Sequence, residues 1–320
     1  RNAYLSLAFL FFVGCLIATR PYIKNVVNEV KFTYVAEEYK LNEGSKSKKN
    51  TPKKELKVEE DDLAQKSDNS ISLNAETTSN LFDDLDYDLK GVRAGQKVKP
   101  IYLTKLPKDL KSLGSTNEKR ELFIKIVLPL ILDENAKITE DREKLFKILG
   151  KNFNTVGERV WLKRRFKEYK IDDKDLSKLK MRMDIIPVSL ALAQAANESG
   201  WGTSRFALEG NALFGQWTWS GEGLKPKDAD KDEGHKVMKF NVLQASVRAY
   251  QRNINTHSTY RGFREARAKL RDKGEPLDSL ILAEYLKEYA ETGNQYVEVL
   301  QKIIKQNNLK DFDNVKLLPS

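Results

Sequence analysis

Apolar residues recur at helical spacing along most of the chain after Glu118, and this pattern restricts the possible folds more than any other feature. The segment Glu121–Asn135 is strongly apolar and contains Pro129, which is expected to kink the helix or to restart it. Glu140–Leu149 places its large apolar residues on one helical face. No stretch alternates polar and apolar residues long enough to form a sheet of several strands. The sequence therefore predicts a mainly α-helical fold.

The N-terminus carries an unbroken apolar run, Tyr4–Ala18. A membrane span needs roughly 20 apolar residues, whereas the apolar part of a signal peptide has roughly 7–15. Because no A-x-A cleavage site follows the run, we interpret residues 1–36 as a signal anchor and its flank. A cleaved signal and a buried core helix are the alternatives. Three basic residues after the run argue against export, since positive residues prefer the cytoplasmic side: Arg20, Lys24 and Lys31.

Residues 37–90 differ in composition from the rest of the chain. Six lysines between Lys46 and Lys57 are followed by four acidic residues and then by Ser, Asn and Thr. Large apolar residues are sparse, so the segment cannot offset the entropy that ordering would cost. We predict a disordered, charged linker. The alternative is a short docking helix, because three leucines recur there at helical spacing: Leu81, Leu85 and Leu89.

The net charge of +10 favours an anionic partner, such as nucleic acid, a membrane surface or an acidic cell-wall polymer. Val160–Tyr169 mixes aromatic and basic residues, which is typical either of a polyanion-binding face or of an ordinary helix with a solvated basic side. No recognition-helix pattern is present, so we predict no nucleic-acid partner. One cysteine and two histidines argue against a zinc site. The absence of a glycine-rich phosphate loop and of G-x-S-x-G argues against nucleotide chemistry and serine hydrolysis.

The most informative segment is Asp184–Gly202, which reads DIIPVSLALAQAANESGWG. Asp184 is expected to cap a helix N-terminus, and Pro187 fits the first turn. The helix that follows is apolar nearly all round and is therefore expected to be buried. Gly200 stands where a C-cap glycine is typical. Glu198 is thus predicted in the last turn of a buried helix.

This position is unusual for a carboxylate. The negative partial charge of a helix C-terminus and burial both disfavour the charged form, so both are expected to raise the pKa of Glu198. A protonated carboxyl beside exposed aromatic rings is what the general acid of a glycosidase requires. The alternative is a glutamate that turns outward into water. Three of the four tryptophans lie nearby and suit either stacking on sugar rings or a place in the core: Trp201, Trp217 and Trp219.

A long motif extends from this helix: SLALAQAANESGWGTSRFALEGNALFGQW. It resembles the signature of the bacterial N-acetylglucosaminidase family of peptidoglycan hydrolases, and the Bax-like subgroup is the most similar. Similar segments lie upstream, in LFIKIVLPLILDENAKITEDREKL, and downstream, in VMKFNVLQASVRAYQRNINTHSTYRGFREAR. The resemblance spans roughly residues 99–306. It implies a lysozyme-like, mainly α-helical domain with a small β-hairpin lobe over the cleft.

The resemblance also implies roles for individual residues. Glu198 matches the family's general acid. Tyr289 matches the tyrosine of the family's Tyr-Ala-Thr-Asp motif, which here reads YAETGNQY. Tyr296 and Tyr260 match two further tyrosines, for which we expect structural roles. The residues predicted to bind substrate are aromatic: Trp201, Phe214, Trp217 and Trp219.

The family's second carboxylate lies in the β lobe, roughly thirty to forty residues after the first, by analogy alone. The segment Gly221–Lys239 is rich in acidic residues. Glu233 has the matching spacing and precedes the strand-like Lys236–Phe240, so we predict it as the second catalytic carboxylate. Asp230 and Glu222 are the alternatives, and the remaining acids are interpreted as a solvated loop.

The implied activity is hydrolysis of the β-1,4 bond after N-acetylglucosamine in peptidoglycan glycan strands, with no cofactor and no metal. One alternative is a lytic transglycosylase on the same fold, which works with a single carboxylate. The other is a non-catalytic cell-envelope module that binds glycan. The expected organisation is a Bax-like helical part at residues 91–182, a catalytic domain at 183–312 and a tail at 313–320. The catalytic domain is expected in the periplasm, anchored to the inner membrane, or secreted if the anchor is cleaved.

Overall fold

A computed structural model describes residues 72–218, 223–225 and 236–319 of the protein. Within these ranges the chain is mainly helical, as predicted, and contains one small antiparallel sheet. The helices in chain order are α1 (Ala75–Asp84), α2 (Leu89–Arg93), α3 (Thr116–Leu149), α4 (Val156–Glu168), α5 (Leu176–Arg182), α6 (Val188–Ser199), α7 (Arg205–Gly210), α8 (Leu243–Thr256), α9 (Arg261–Lys273), α10 (Ser279–Ala283) and α11 (Asn294–Gln306). The strands are β1 (Trp217–Thr218), β2 (Gly223–Leu224) and β3 (Lys236–Met238), and 3-10 turns span Leu110–Ser112, Ser258–Tyr260, Glu284–Tyr289 and Leu309–Phe312.

The predicted membrane segment, Tyr4–Ala18, lies outside the described residues, as does the predicted linker up to residue 71. Among the helices that the structure describes, none is both long enough and apolar enough to cross a bilayer. The N-terminal anchor therefore stays a prediction.

Helix α6 lies in the main hydrophobic core. It packs against α3, α10 and α11 and against the 3-10 turn Leu309–Phe312. Its side chains are buried around the whole helix, as its apolar sequence predicts; Leu190 and Ala191 have no exposed surface. Fully burying one leucine side chain stabilises the fold by about 1.5–3 kcal/mol. The surrounding helices therefore fix where α6 ends and where its last turn points.

A second, smaller core lies between the C-terminal part of α3 and helices α4 and α5. Leu145 and Ile148 of α3 share it with Phe166 of α4 and Leu179 of α5. Met183, which follows α5, belongs to the same cluster. Residues on both sides of the predicted boundary between the Bax-like helical part (91–182) and the catalytic domain (183–312) therefore share this core.

Helix α1 contradicts the prediction of a disordered linker up to residue 90. Asn74 caps its N-terminus through its side chain. The buried face consists of Ala75, Thr78 and Phe82, whereas Leu85 is exposed. The docking-helix alternative is therefore correct for this stretch, although only Leu81 of the three spaced leucines lies within α1. A few buried side chains order a segment whose charged average composition is typical of disorder.

The predicted tail 313–320 is also part of the folded unit as far as the structure describes it. Val98 donates a backbone hydrogen bond to Lys316, at 2.9 Å, and accepts one from Leu318, at 2.8 Å. Arg93 of α2 lies over the ring of Phe312, with the guanidinium carbon 4.4 Å from the ring centroid. The N-terminal helices and the C-terminal residues therefore stabilise each other.

Helix α3 runs unbroken through Pro129, so of the two predicted alternatives, a kink or a restart, the restart does not occur. Proline has no N–H, so the carbonyl of Lys125, four residues earlier, lacks its helical donor. The hydroxyl of Tyr87 donates to this carbonyl from outside the helix, at 3.2 Å, in a buried position. An external donor thus replaces the missing one, and the helix continues.

The small lobe, which the resemblance predicted as a β-hairpin, is a sheet of three strands in the order β1-β3-β2. Val237 of the central strand pairs with Trp217 on one side and with Leu224 on the other, both antiparallel. Val237 is buried. The backbone N–H of Phe240, just after β3, donates to the carbonyl of Gly210 at 2.8 Å and so attaches the sheet to the end of α7.

We expect the substitution Tyr87→Phe to destabilise the fold by about 1–3 kcal/mol, because it leaves the buried carbonyl of Lys125 without a donor. In a Pro129→Ala background the restored N–H supplies that donor, so Tyr87→Phe should cost about 1 kcal/mol less. The measurement is the free energy of unfolding in denaturant for the four members of this double-mutant cycle.

The matched control is Tyr102→Phe, because Tyr102 is exposed and its hydroxyl bonds only the Asp133 carboxylate, at 3.4 Å. This control should change stability by less than about 0.5 kcal/mol. An equal cost of Tyr87→Phe with Pro129 and with Ala at that position would show that Tyr87 does not compensate for the proline.

Candidate active site

Both ends of helix α6 are fixed by specific groups. At the N-terminus, Ser189 donates from its backbone N–H and from Oγ to the two carboxylate oxygens of Asp313, each at 2.8 Å. At the C-terminus, Gly200 adopts the left-handed conformation, with φ of 57°, as predicted for a C-cap glycine. Glu198 lies in the last turn, as predicted.

Asp184 is not the N-cap of α6, contrary to the prediction; Pro187 occupies that position. The Asp184 carboxylate is buried among arginines and pairs with Arg271, at 3.0 Å from Oδ1 to Nη2. Burial alone would raise the pKa of Asp184, but the guanidinium groups of Arg267, Arg271 and Arg142 lower it overall. Asp184 therefore fixes the segment before the helix to α9 and α3, while Asp313 caps the helix from the C-terminal side of the chain.

The carboxyl group of Glu198 is half-buried, and burial raises its pKa above the ordinary value of 4.5. Two side-chain hydrogen bonds act in the opposite direction, from Asn197 and from Tyr296, because both favour the charged form. The Asn197 amide nitrogen lies 3.2 Å from Glu198 Oε1. Burial outweighs both bonds, so the pKa of Glu198 is raised overall, in the direction that the sequence predicts.

A directed series of hydrogen bonds holds Glu198. The hydroxyl of Tyr250 donates to Oε1 of Gln194 at 2.6 Å, and Nε2 of Gln194 donates to the hydroxyl of Tyr296 at 2.9 Å. Because the Tyr296 oxygen accepts from Gln194, its own proton is available for the carboxyl of Glu198, to which it is hydrogen-bonded. Tyr296 therefore contacts the candidate catalytic group, whereas the sequence predicted a structural role for it.

Gly215 lies against the Glu198 carboxyl, and only glycine suits this position. Its φ is +60°, which disfavours any side chain. A Cβ there would lie 3.1 Å from Glu198 Oε2. The turn that precedes β1 thus approaches the carboxyl closely with its bare backbone and limits the directions in which Glu198 can point.

Tyr289 lies beside this network but is bonded elsewhere. Its hydroxyl donates to the backbone carbonyl of Phe214 at 2.8 Å. Its ring stacks on that of Tyr296, with centroids 5.5 Å apart and planes 7° apart, and it contacts the ring of Tyr260 at 5.9 Å. Tyr260 is buried, which agrees with the packing role expected for it. Tyr289 thus connects Tyr296, which is hydrogen-bonded to Glu198, with the backbone of Phe214, the residue before Gly215.

The structure changes the interpretation of two aromatic residues. The ring of Phe214 is 1% exposed and stacks on Tyr250 with centroids 3.9 Å apart, so the prediction that it binds substrate is wrong. Trp201 packs edge-on against Phe123, at 5.8 Å, and the guanidinium of Arg120 lies 5.2 Å from its ring centroid. The Trp201 ring, which is partly buried, therefore packs against the core.

Trp217 is the predicted substrate-binding aromatic that the structure shows most exposed, at 47% on strand β1. Trp219 lies outside the described residues. So do the predicted second carboxylate, Glu233, and its alternatives Glu222 and Asp230. In the ranges that are described, no cluster of His, Cys, Asp and Glu side chains is arranged to hold a metal ion.

The sequence of the chain matches those of known proteins. Residues 174–309 match the model of the glucosaminidase family, which is described as mannosyl-glycoprotein endo-beta-N-acetylglucosaminidase. The chain is also 33% identical over 205 residues to the protein bax of Escherichia coli (strain K12), a match that covers 62% of this chain and 73% of that protein. The chain belongs to the glucosaminidase family. The family resemblance predicted from the sequence is confirmed, and this membership indicates a glycosidase.

A solved structure adds less to this assignment. The catalytic domain of the autolysin Auto from Listeria monocytogenes is 16% identical, and the match covers 55% of this chain and 97% of that domain with a TM-score of 0.31. A TM-score this low supports no argument about the fold or the site. The glucosaminidase match at residues 174–309 includes Glu198, Gln194, Tyr250, Tyr289 and Tyr296.

Sequence reasoning missed three residues of this glucosaminidase site: Gln194, Tyr250 and Gly215. Gln194 had a detectable signal, since a polar side chain inside an otherwise apolar, buried helix must find a buried partner. Tyr250 and Gly215 had none, because their roles depend on distances between segments far apart in the chain.

Proposed function

We propose that the protein is a peptidoglycan N-acetylglucosaminidase that hydrolyses the β-1,4 bond after N-acetylglucosamine. The observation that supports this proposal most is the position of Glu198, a half-buried carboxyl with a raised pKa at the end of a buried helix. A general acid must be protonated when the substrate is bound, and burial shifts the pKa of Glu198 in the direction that favours this form. Membership of the glucosaminidase family supports a glycan that contains N-acetylglucosamine as the substrate.

In this mechanism Glu198 donates its proton to the glycosidic oxygen as the bond to the anomeric carbon breaks. The hydrogen bond from Tyr296 then stabilises the carboxylate that remains. We propose Glu233 as the base that activates the attacking water. Tyr289 donates its proton to the Phe214 carbonyl, so its oxygen is left to accept a hydrogen bond, and we propose that it orients this water.

The proposed substrate is a long, anionic polymer. Trp217 is exposed on strand β1 and offers a flat surface for a sugar ring. We propose that the N-terminal run Tyr4–Ala18 anchors the chain in the inner membrane, so that the domain acts in the periplasm. We propose that the charged segment between this run and α1 is the tether that lets the domain reach the glycan strands.

A lytic transglycosylase is the second candidate. It works with a single catalytic carboxylate, and Glu198 is the one candidate catalytic carboxylate that lies within the described residues, since Glu222, Asp230 and Glu233 lie outside them. The two candidates differ in their products. A hydrolase leaves reducing-end N-acetylglucosamine, whereas a transglycosylase forms an anhydro-muramyl end.

We expect Glu198→Gln to lower glycan cleavage at least about 100-fold, because it removes the proton donor while keeping the side chain's shape. The measurement is the release of sugars from purified peptidoglycan by the full-length chain, read by mass spectrometry. The matched control is Glu298→Gln, at an exposed position on α11, which should leave cleavage unchanged.

Full activity of Glu198→Gln would disprove the assignment of the general acid. Reducing-end N-acetylglucosamine is expected from the wild-type chain, and anhydro-muramyl ends would support the transglycosylase. If wild-type protein sediments with the wall but releases nothing, the non-catalytic module is correct. Single substitutions to Ala at the candidate second carboxylates should identify one essential residue; we expect it to be Glu233 among Glu222, Asp228, Asp230, Asp232 and Glu233.

We expect Gly215→Ala to lower cleavage on the order of 10- to 100-fold, because the new Cβ would displace the Glu198 carboxyl from its position. Gly274→Ala is the matched control, since Gly274 also has a positive φ, +70°, but a Cβ there would have no atom within 4 Å. The two variants should lose similar stability from backbone strain, and only Gly215→Ala should lose activity. Equal activity in both would show that the close approach at Gly215 does not position the acid.

A further inference from the structure

A helical hairpin projects from the small second core, and the proposed glycosidase activity makes no use of it. We call residues 144–170 the basic hairpin: the end of α3, a loop and helix α4. The two helices lie side by side, because Arg165 pairs with Asp141 at 3.2 Å and the ammonium of Lys144 lies 5.1 Å from the ring centroid of Trp161. The basic hairpin precedes the residues that match the glucosaminidase family model.

Most of the net charge of the chain lies in this hairpin. It contains nine Lys and Arg against two Glu, a net charge of +7, whereas the whole chain of 320 residues has +10. Lys151 is neutralised by Glu158, at 2.5 Å, and Arg165 pairs with Glu168 and Asp141. Lys163, Arg164 and Lys167 are exposed. The hairpin therefore presents a concentrated positive surface.

The tip of the same hairpin is apolar. Phe153 in the loop is 91% exposed and Val156 is 68% exposed; they are the two most exposed large apolar side chains in the described ranges. Val160, one turn after Val156, is 46% exposed. These side chains do not belong to the core of the hairpin, which is formed by Leu162 and Phe166 on the opposite side of α4.

The exposed residues of α4 form one continuous face. Residues four or seven apart in a helix lie on the same side, so Val156, Val160, Lys163 and Lys167 are aligned. The apolar side chains lie towards the loop and the lysines follow them along the helix. An anionic polysaccharide would account for the lysines but not for the valines. A bilayer of anionic lipids accounts for both, since apolar side chains enter the interface and lysines contact the head groups.

We propose that the basic hairpin docks the domain on an anionic lipid surface, with Phe153 and Val156 inserted at the interface. This contact is separate from the predicted N-terminal anchor. It would hold the domain in one orientation on the bilayer and direct the rest of the molecule away from it. The inference does not depend on the proposed glycosidase activity.

The test uses the full-length chain with Cys15→Ser, in which Phe153→Cys carries the environment-sensitive fluorophore NBD. Vesicles contain phosphatidylcholine with about one quarter phosphatidylglycerol, which gives an anionic surface. We expect the NBD emission to increase and shift to the blue, and to be quenched by nitroxide-labelled lipid. In pure phosphatidylcholine the change should be much smaller. The matched control carries NBD at Val299→Cys, another exposed apolar position, on α11, and should show no change.

The charge contribution is tested in the same assay. Each lysine near an anionic bilayer contributes about a fivefold change in partition, so Lys163→Gln with Lys167→Gln should reduce the inserted fraction on the order of 20-fold. The control pair is Lys302→Gln with Lys305→Gln, which removes the same charge from exposed positions on α11.

Three outcomes would overturn the proposal. The first is an unchanged NBD signal with anionic vesicles to which the chain is bound. The second is a response to purified peptidoglycan instead of vesicles, which would make the hairpin a glycan-binding surface. The third is a response that depends on protein concentration without lipid, which would indicate contact between copies of the chain. Peptidoglycan cleavage by the same labelled protein is measured in parallel, so failure of this proposal and failure of the proposed function remain distinguishable.

Discussion

The burial of helix α6 on all sides is the constraint on which the rest of the site depends. A helix without a solvated face cannot satisfy its terminal backbone groups with water, so other parts of the chain must do so. Asp313 supplies the acceptor at the N-terminus, and Gly200 turns the chain at the C-terminus. Fixed at both ends, α6 places Glu198 at the margin of the core, where its side chain is half-buried.

Two opposing effects determine the pKa of Glu198. Burial favours the protonated form, while the hydrogen bonds from Asn197 and Tyr296 favour the carboxylate. This combination suits a group that must hold a proton before bond cleavage and be stabilised after losing it. The bonds from Tyr250 through Gln194 set the orientation of Tyr296, and the bare backbone of Gly215 limits the space on the other side. Rigid neighbours thus keep the carboxyl in one place.

Much of this arrangement was predictable from local sequence, because local features determine it. The apolar character of α6, its C-cap glycine and the raised pKa of Glu198 all follow from residues 188–200. The features that were not predicted depend on contacts between distant segments. Asp184 appeared to be a helix cap because it lies only a few residues before α6 in the sequence. Its arginine partners, Arg142 and Arg271, lie more than forty residues away and could not be identified from sequence. Helix α1 was hidden by its charged surroundings, and Phe214 appeared available for substrate because its stacking on Tyr250 cannot be read from spacing.

The central claim is that the fold raises the pKa of Glu198 above its ordinary value. NMR titration of the protein labelled with ¹³C at the glutamate carboxyls tests this claim most directly. The Glu198 signal is assigned by its absence in Glu198→Gln. The account predicts a pKa above 4.5 in the wild-type chain. It also predicts a higher value in Tyr296→Phe, because that substitution removes a hydrogen bond that favours the carboxylate. The acid should then stay competent to a higher pH. A wild-type pKa at or below 4.5 would contradict the account.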